Sequence, residues 1–389
     1  MKKSILYLLL TVFAAVMFIN SGLPNMAFAL NKNNNLSEIS ISAKSAYLID
    51  FASGEVIYEK NSNERLPIAS MTKLATLSVV FDAINKSALK LEDDVIVSKN
   101  AASIKGSTAF LDAGSRYKVS DLIKTVIIAS ANDSAVALAE HISGSEEQFV
   151  RRMNKMFSEF GLKDTNFENS TGLPSENHYS SAQDMAVIYK TICDNEIYKM
   201  YSKIWMDELN HPSGRKTELV NTNRLIKTYD GIEGGKTGYT DAAKFCLTAS
   251  ARRGDMRLVG VVIGASDSKT RFSEMSKLFD YGFANFKIEE VINENIPATV
   301  VKFKSAKNEI DVYPEKSIVK FLRKDDNSKF SVDFELYEMK APLKAGDAVG
   351  KMYVFNENNI AIDEINLVVR ESVEAIDVSY SLKNILKVW

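Results

Sequence analysis

The spacing of hydrophobic residues predicts a hairpin followed by helices in the first part of the chain. Segment 45–61 has two apolar runs around a turn-forming Ala-Ser-Gly, which is typical of a β-hairpin. From 70 to about 85 the apolar residues recur at helical spacing. Two further helices are predicted at 119–128 and 131–142, so helices dominate the middle of this region.

The pattern returns to strands from about residue 217. A strand is predicted within 231–240, and two apolar runs at 244–253 and 256–265 are joined by a turn at Arg253-Gly254-Asp255. A helix at about 268–286 closes the unit. Strands from both ends and a helical middle predict an α+β domain over 36–288, with an antiparallel sheet flanked by helices.

Alternating β-type residues fill the next part of the chain. Runs such as ATVVKFK, SIVKFL and KFSVDFELYEM are separated by Asn, Asp and Gly. Short strands at this spacing predict a small all-β domain over 291–370. It carries no motif for chemistry, so we expect a spacer or an interaction module.

The segment 371–389 has a helical pattern of its own. Its polar side carries Lys383 and Lys387, and its other side is apolar. The apolar residues are Val378, Leu382, Ile385, Leu386 and Trp389. A terminal amphipathic helix with lysines and an end Trp is typical of a membrane interface. The alternative is a helix packed on the all-β domain.

The N-terminus has the layout of a secretory signal peptide over 1–29. Lys2 and Lys3 precede an apolar stretch, and the small-x-small triplet at 27–29 closes it. An uncleaved membrane anchor is the alternative, but polar residues and Pro24 interrupt the apolar run. We therefore expect an exported protein that works outside the cytoplasm.

Composition narrows the class of protein only a little. The chain has 389 residues, 46% of them hydrophobic, which is ordinary for a globular protein of two or three domains. A formal charge of −2 argues against nucleic acid as a partner. Cys193 and Cys246 are too few for a disulfide framework, and we expect both to be small buried hydrophobic residues.

Three short motifs suggest a serine acyltransferase. Ser70 and Lys73 form one of six Ser-x-x-Lys pairs in the chain, so their spacing alone identifies nothing. This pair, however, lies at a predicted helix start after a hairpin. It is followed in order by Ser130-Ala131-Asn132 at an apolar helix junction and by Lys236-Thr237-Gly238, which occurs once, on a predicted strand.

The chemistry requires residues of these types. A serine hydroxyl needs a neighbouring base, and positions i and i+3 of a helix share a face, so Lys73 can reach Ser70. Lysine accepts a proton only if burial and nearby positive charge lower its pKa, and Lys236 would supply such a charge. We expect Ser130 to relay a proton to the leaving group and Asn132 to orient the substrate amide.

On these motifs the chain resembles the penicillin-interacting serine DD-peptidases, specifically the low-molecular-mass D-alanyl-D-alanine carboxypeptidases. The resemblance includes LPIASMTKL around Ser70, GLPSENHYSSAQDMA at 172–186 and DGIEGGKTGYT at 230–240, and it covers about 40–290. It implies a β-lactamase/DD-peptidase-like domain that removes the terminal D-alanine from peptidoglycan stem pentapeptides through an acyl-enzyme on Ser70. Penicillin and other β-lactams would acylate the same serine.

The resemblance also implies how the substrate is held. Its free carboxylate would bind Lys236 and Thr237, with Arg271 as a second partner. An oxyanion hole would come from the backbone N–H groups of Ser70 and of Tyr239, and such donors stabilise a tetrahedral intermediate by about 3 kcal/mol.

Other functions fit the sequence less well. A class A β-lactamase shares the three motifs, but Glu168 in FENSTGLP does not supply the Glu-x-x-Leu-Asn pattern of its deacylating glutamate. A catalytically silent peptidoglycan-binding protein is the alternative from another class. His141, His178 and His211 lack the spacing of a zinc peptidase, and no G-x-S-x-G is present, so neither a metal nor a cofactor is expected.

Overall fold

The structure is a computed structural model that describes residues 39–380. The predicted signal peptide at 1–29 and residues 381–389 of the predicted terminal helix lie outside this range. Among the described residues, no helix has both the length and the apolar composition needed to cross a membrane.

The N-terminal domain, residues 41–285, contains helices and an antiparallel sheet. Its helices are α1 (Thr72–Asn85), α2 (Lys99–Ser103), α3 (Val119–Ile128), α4 (Asn132–Ser143), α5 (Glu146–Glu159), α6 (Ala182–Lys190), α7 (Glu196–Ser202), α8 (Leu225–Thr228) and α9 (Ser268–Asn285). Its strands are β1 (Ser45–Asp50), β2 (Val56–Lys60), β3 (Asp94–Ile96), β4 (Arg116–Lys118), β5 (Met206–Asn210), β6 (Lys216–Val220), β7 (Ile232–Thr240), β8 (Lys244–Arg253) and β9 (Met256–Ala265).

The main sheet joins the two ends of this domain. Its strand order is β2-β1-β9-β8-β7, with every neighbour antiparallel. The predicted α+β class is therefore confirmed, and β1 pairs with β9 as expected for strands from both ends of the segment. Strand β7, which carries the Lys-Thr-Gly triplet, is the last strand at one edge.

Helix α1 is the central helix of the domain. Every residue from Thr72 to Phe81 is buried, so the helix packs on all sides against the other helices and the sheet. Polar caps fix the ends of the surrounding helices: Ser145 starts α5 by accepting the N–H of Gln148, and Asp267 starts α9 by accepting that of Thr270. A short 3₁₀ turn, Ala69–Met71, leads directly into α1.

The β-rich domain, residues 286–377, has a separate core. Its strands are β10 (Phe286–Ile292), β11 (Thr299–Val301), β12 (Ile310–Pro314), β13 (Ile318–Arg323), β14 (Ser331–Leu336), β15 (Ala348–Phe355) and β16 (Ala361–Val369). Five of them form a sheet in the order β11-β12-β16-β15-β14, and β10 pairs with β13. The predicted all-β character is confirmed.

The start of the predicted terminal helix at 371 is wrong. Val373 is buried and pairs with Leu343, while Ala375 pairs with Ala306, so this stretch extends the β-rich domain. Helical conformation begins at Val378. Val373 is held by a strand-like bridge and buried, whereas Ile376 is exposed, and the helical pattern of the sequence did not predict this extended stretch.

Candidate active site

Ser70 and Lys73 meet where the 3₁₀ turn enters α1. Ala69 adopts a left-handed backbone with φ of 48°, which turns the chain sharply before Ser70. The Lys73 side chain lies one helical turn further on, and its Nζ donates to Ser70 Oγ at 3.0 Å. Lys73 is fully buried, whereas Ser70 is half-buried. Ser70 is thus partly accessible to solvent, whereas its lysine partner is not.

The surroundings of Lys73 favour its neutral form. Burial, and secondly the positive charge of Lys236, hold the pKa of Lys73 well below its usual value, although Asp133 opposes the shift. The amine also donates to the Thr171 carbonyl oxygen at 2.7 Å. Gly172 has φ of 83°, and a Cβ there would lie 1.9 Å from the Ala69 oxygen. Only glycine lets this loop approach Ser70 so closely.

Ser130 and Lys236 form the second pair of the site. Lys236 Nζ donates to Ser130 Oγ at 2.7 Å and to the Thr237 carbonyl oxygen at 2.9 Å. Burial, and then the nearby Arg271, lower the pKa of Lys236 to about 7. Ser130 itself has a left-handed backbone with φ of 62°, which directs the chain from α3 into α4.

The side-chain amide of Asn132 is hydrogen-bonded through its nitrogen but not through its oxygen. Its Nδ2 donates to the Lys105 carbonyl oxygen at 2.6 Å. Its Oδ1 is buried and has no hydrogen-bond partner among residues 39–380. A buried amide oxygen without a partner is costly, so this atom is available to accept a bond from a ligand N–H.

The loop beside Asn132 is fixed by two charged residues. The buried Asp133 carboxylate accepts from the backbone N–H groups of Ala109 and Leu111, both at 3.0 Å. Arg215 Nη2 donates to the Phe110 carbonyl oxygen at 2.6 Å. Between these contacts Phe110 has φ of 58°, and its ring is exposed. Sequence reasoning did not identify Asp133, although its position directly after Asn132, ahead of the apolar run Ala135–Ala139, is a signal that could have done so.

The end of β7 lies against the 3₁₀ turn Ala69–Met71, which contains Ser70. A Cβ on Gly238 would meet the Ile68 carbonyl oxygen at 2.6 Å, so the strand and the turn are nearly in contact there. Thr237 is buried, and its hydroxyl donates to Thr222 Oγ1 at 2.7 Å. Tyr239 is exposed and donates from its hydroxyl to Asp241. No sequence feature had pointed to Thr222.

Arg271 lies behind this strand end. Its Nη1 donates to the Gly238 carbonyl oxygen at 3.2 Å and to that of Cys246 at 3.3 Å. Burial lowers its pKa to about 10. The Nε atom is buried without a partner in the described part of the chain. Arg271, which the family resemblance had named, thus contacts Gly238 of the Lys-Thr-Gly triplet. Its Nε–H group is still able to donate a hydrogen bond.

Glu168 and His178 hold a loop instead of forming part of the serine–lysine pair. The exposed Glu168 carboxylate accepts from the Asn177 N–H at 3.0 Å. The Glu168 N–H donates to His178 Nδ1, so the proton is on Nε2, which lies 2.7 Å from Thr72 Oγ1. Burial lowers the pKa of His178 to about 4, so the ring is neutral at physiological pH.

The two cysteines form no disulfide bond with each other. Cys193 and Cys246 are free and buried, as predicted. Among residues 39–380 no group of three or more His, Cys, Asp or Glu side chains is arranged to hold a metal ion.

Comparison with known proteins identifies the family. A family profile described as D-alanyl-D-alanine carboxypeptidase matches residues 32–267. The chain belongs to this family. A second profile, described as the C-terminal domain of penicillin-binding protein 5, matches residues 286–375. The family resemblance drawn from the three motifs is thereby confirmed, and so is the class of enzyme, a serine peptidase.

Individual relatives in this family resemble the chain over most of its length. The D-alanyl-D-alanine carboxypeptidase DacF of Bacillus subtilis is 39% identical, covering 93% of this chain and 94% of its own. DacC of Escherichia coli is 34% identical over 86% of this chain and 85% of its own. The crystal structure of penicillin-binding protein 5 from Haemophilus influenzae superposes with a TM-score of 0.69 at 33% identity, covering 87% of this chain and 99% of that one. These likenesses favour a carboxypeptidase over the two alternative functions.

Proposed function

We propose that this protein removes the terminal D-alanine from peptidoglycan stem pentapeptides, with Ser70 as the nucleophile. The observation that carries the proposal is the 3.0 Å contact between the half-buried Ser70 hydroxyl and the buried Lys73 amine. A nucleophile paired with a base of lowered pKa is what serine acyl transfer requires.

Acylation begins when neutral Lys73 takes the Ser70 proton as Oγ bonds to the carbonyl carbon of the penultimate D-alanine. The oxyanion is held by the backbone N–H groups of Ser70 and Tyr239. The carbon–nitrogen bond then breaks, and the leaving D-alanine nitrogen receives a proton through Ser130. The 2.7 Å bond from Lys236 supports this relay, because it orients the Ser130 hydroxyl.

Four residues position the substrate, one at its amide and three at its terminal carboxylate. Asn132 Oδ1 accepts from the substrate amide, which would satisfy its free bonding capacity. The terminal carboxylate binds Lys236 and Thr237, with Arg271 beside them. A bound carboxylate would also favour the charged form of Lys236.

Deacylation is the step in which water attacks the ester and regenerates Ser70. Lys73 is again the base for the water proton. Since the Glu168 carboxylate bonds to the Asn177 loop, it is not a second base of the lactamase kind. We therefore expect β-lactams to acylate Ser70 and to leave slowly.

The test combines two measurements on the purified protein. Ser70→Ala should abolish covalent labelling by fluorescent penicillin and lower D-alanine release from a stem pentapeptide by at least about a thousandfold. Ser87→Ala is the matched control, because Ser87 and Lys90 have the same spacing and Ser87 Oγ has no hydrogen bond among the described residues. Rapid penicillin turnover without D-alanine release would indicate a β-lactamase and contradict the proposal, and an unlabelled wild-type protein would indicate the silent alternative.

We further propose that the enzyme acts outside the cytoplasm and lies on the membrane surface. The signal-peptide pattern of residues 1–29 and the cell-wall substrate support export. The lysines and the terminal Trp of 378–389 support an interfacial helix. Binding of the full chain to lipid vesicles tests the second point.

A further inference from the structure

The loop that faces Lys73 is organised by the side chain of Asn169. Its Oδ1 accepts from the Thr171 N–H at 3.1 Å, from the Thr171 hydroxyl at 3.0 Å and from the Gly172 N–H at 2.7 Å. Its Nδ2 donates to the Leu173 carbonyl oxygen at 3.0 Å. An asparagine side chain that binds the backbone two residues ahead fixes a turn. The conformation of this turn is therefore set by one amide.

The next residue of the turn is attached to two helices. Ser170 is fully buried, and its N–H and its hydroxyl both donate to Glu146 Oε1 on α5, at 2.9 Å and 2.6 Å. Its carbonyl oxygen accepts from Thr76 Oγ1 on α1 at 2.6 Å. The following carbonyl oxygen, that of Thr171, accepts from Lys73 Nζ at 2.7 Å. Two successive carbonyl groups of the loop thus bind side chains of α1.

The Thr171 carbonyl affects which way the amine of Lys73 points. A neutral amine has two N–H groups and one lone pair, and it rotates among three staggered positions. To take the Ser70 proton, the lone pair must point at Oγ, which lies 3.0 Å away. The carbonyl oxygen attracts an N–H and repels the lone pair, so it excludes the rotamer in which the lone pair faces the loop instead of Ser70.

The same carbonyl favours the product of the proton transfer. Once Lys73 is an ammonium group, its hydrogen bond to the Thr171 oxygen is charge-assisted and therefore stronger than that of the neutral amine. A dipole already aimed at the place where charge develops needs no reorganisation during the reaction. The loop thus stabilises the positive charge that appears on Lys73 as Ser70 Oγ attacks.

We propose that Asn169 is a positioning residue for the Ser70–Lys73 pair, which acts by holding the Thr171 carbonyl against the lysine amine. The inference rests on the proposed function, in which Lys73 is the base. Asn169 acts through Thr171 and needs no contact with the substrate. Its loss should therefore slow the proton transfer without weakening substrate binding.

The experiment compares Asn169→Ala with the wild type, both as full chains. Titration with fluorescent penicillin counts the intact sites, so that kcat refers to folded molecules. We expect kcat for D-alanine release to fall by about tenfold or more, with KM within about twofold, because a misplaced base slows the reaction and the binding groups are unchanged. An unchanged kcat per labelled site would overturn the proposal.

Asn356→Ala is the matched control. Asn356 Oδ1 likewise accepts from two backbone N–H groups, those of Asn358 and Ile360, both at 3.0 Å, but it belongs to the β-rich domain. Both variants should be less stable than the wild type, and only Asn169→Ala should lose rate. An equal fall in kcat for the two variants would assign the effect to general destabilisation and contradict the role of Asn169.

Asn169→Asp separates positioning from a loosening of the loop. Its carboxylate can accept the same three hydrogen bonds, which keep it charged, so kcat at the optimum pH should recover to within about threefold of the wild type. The added negative charge favours protonated Lys73 and raises its pKa, so the acid limb of the pH profile should move to higher pH. An acid limb that stays in place would contradict the coupling between this position and Lys73.

The titratable groups already around Lys73 and its loop are the same in all these proteins. They are Asp133, Glu146, Glu168, His178 and Lys236. A shift of the acid limb in Asn169→Asp therefore reports the new charge.

The rate of penicillin labelling separates this inference from the proposed function. A wild type that is labelled but releases no D-alanine would overturn the proposed substrate, and the labelling rate should still fall by about tenfold in Asn169→Ala. Normal D-alanine release by the wild type, with equal labelling rates for wild type and Asn169→Ala, would overturn the inference and leave the carboxypeptidase intact.

Discussion

At the residue scale, the proposed mechanism gives two buried lysines opposite tasks. Lys73 must be neutral to accept a proton, and Lys236 must be charged to bind a carboxylate. The positive charge of Lys236 favours the neutral form of Lys73, because it lowers the pKa of Lys73. Pairs of titratable groups driven to different protonation states are typical of acid–base catalysts.

These assignments predict a bell-shaped pH profile for kcat/KM. The acid limb appears as Lys73 gains a proton, and the alkaline limb as Lys236 loses its proton near a pKa of about 7. Lys236→Arg should move the alkaline limb upward by more than one pH unit, because arginine keeps its charge. The check is D-alanine release between pH 5 and 10, and an alkaline limb that does not move in the variant would assign it to another group.

Sequence reasoning named candidate catalytic side chains that the structure brings together, but it did not name their backbone partners. Spacing and order were enough to place Ser70, Lys73, Ser130, Asn132 and Lys236 in one site. The Thr171 carbonyl that holds Lys73 could not be predicted, because any residue supplies a carbonyl and only the fold decides which one arrives. Hydrogen bonds between side chains and distant main chain leave no pattern in a single sequence.

At the scale of elements, the loop 166–178 is attached to α1 through a neutral histidine. His178 accepts the Glu168 N–H and donates to Thr72, the residue next to Lys73. The ring is almost fully buried, so protonation would place an extra charge beside Lys73. The loop that supplies the Thr171 carbonyl therefore depends on the protonation state of His178.

This attachment predicts a stability change with pH. The ordinary histidine pKa is 6.5 and the folded value is about 4, so only the unfolded chain binds the proton between these pH values. Stability should fall as the pH drops from about 6.5 to 4, by at most about 3 kcal/mol from this group.

His178→Gln isolates that contribution. Glutamine can still donate to Thr72 but does not titrate, so the variant should show a shallower loss of stability over the same pH range. Urea unfolding at pH 7 and pH 4.5 measures the difference. Equal losses for the two proteins would show that His178 is not the group responsible.

Elements were predictable where their pattern was apolar and periodic. Helices α1, α3, α4 and α9 and strands β1, β8 and β9 have such patterns, and their bounds fall close to the predictions. Helix α5 and the hairpin β5–β6 were not predicted. Their residues are mostly charged or polar, and burial of a few side chains such as Phe149 and Leu209 fixes them only in the complete fold.

At the scale of the whole molecule, the candidate active site and the proposed membrane contact belong to different parts of the chain. All the residues whose hydrogen bonds were described for the candidate site belong to the N-terminal domain, and the last of them is Arg271. The β-rich domain has its own core. Strand β10 follows α9 without a break, and Phe286 stacks on Phe321 at the junction. The β-rich domain thus extends from a helix of the N-terminal domain.

This separation predicts that membrane binding can be lost without loss of catalysis. A chain ending at Tyr380 lacks the apolar and lysine-bearing faces of the proposed interfacial helix, so it should no longer sediment with anionic vesicles. Its D-alanine release from a soluble pentapeptide should equal that of the full chain. Continued sedimentation of the shortened chain would place the membrane contact elsewhere.

The left-handed residues around the cleft limit how the enzyme can become more heat-resistant. Ala69, Phe110 and Ser130 have φ values of 48°, 58° and 62°, and each costs about 1–3 kcal/mol that the surrounding structure must offset. Replacing Ser130 with glycine would relieve the backbone strain, but it would also remove the hydroxyl that we propose as the proton relay. Selection for thermostability alone therefore erodes activity at the cleft, and adaptation to high temperature has to proceed through the exposed helices and the β-rich domain.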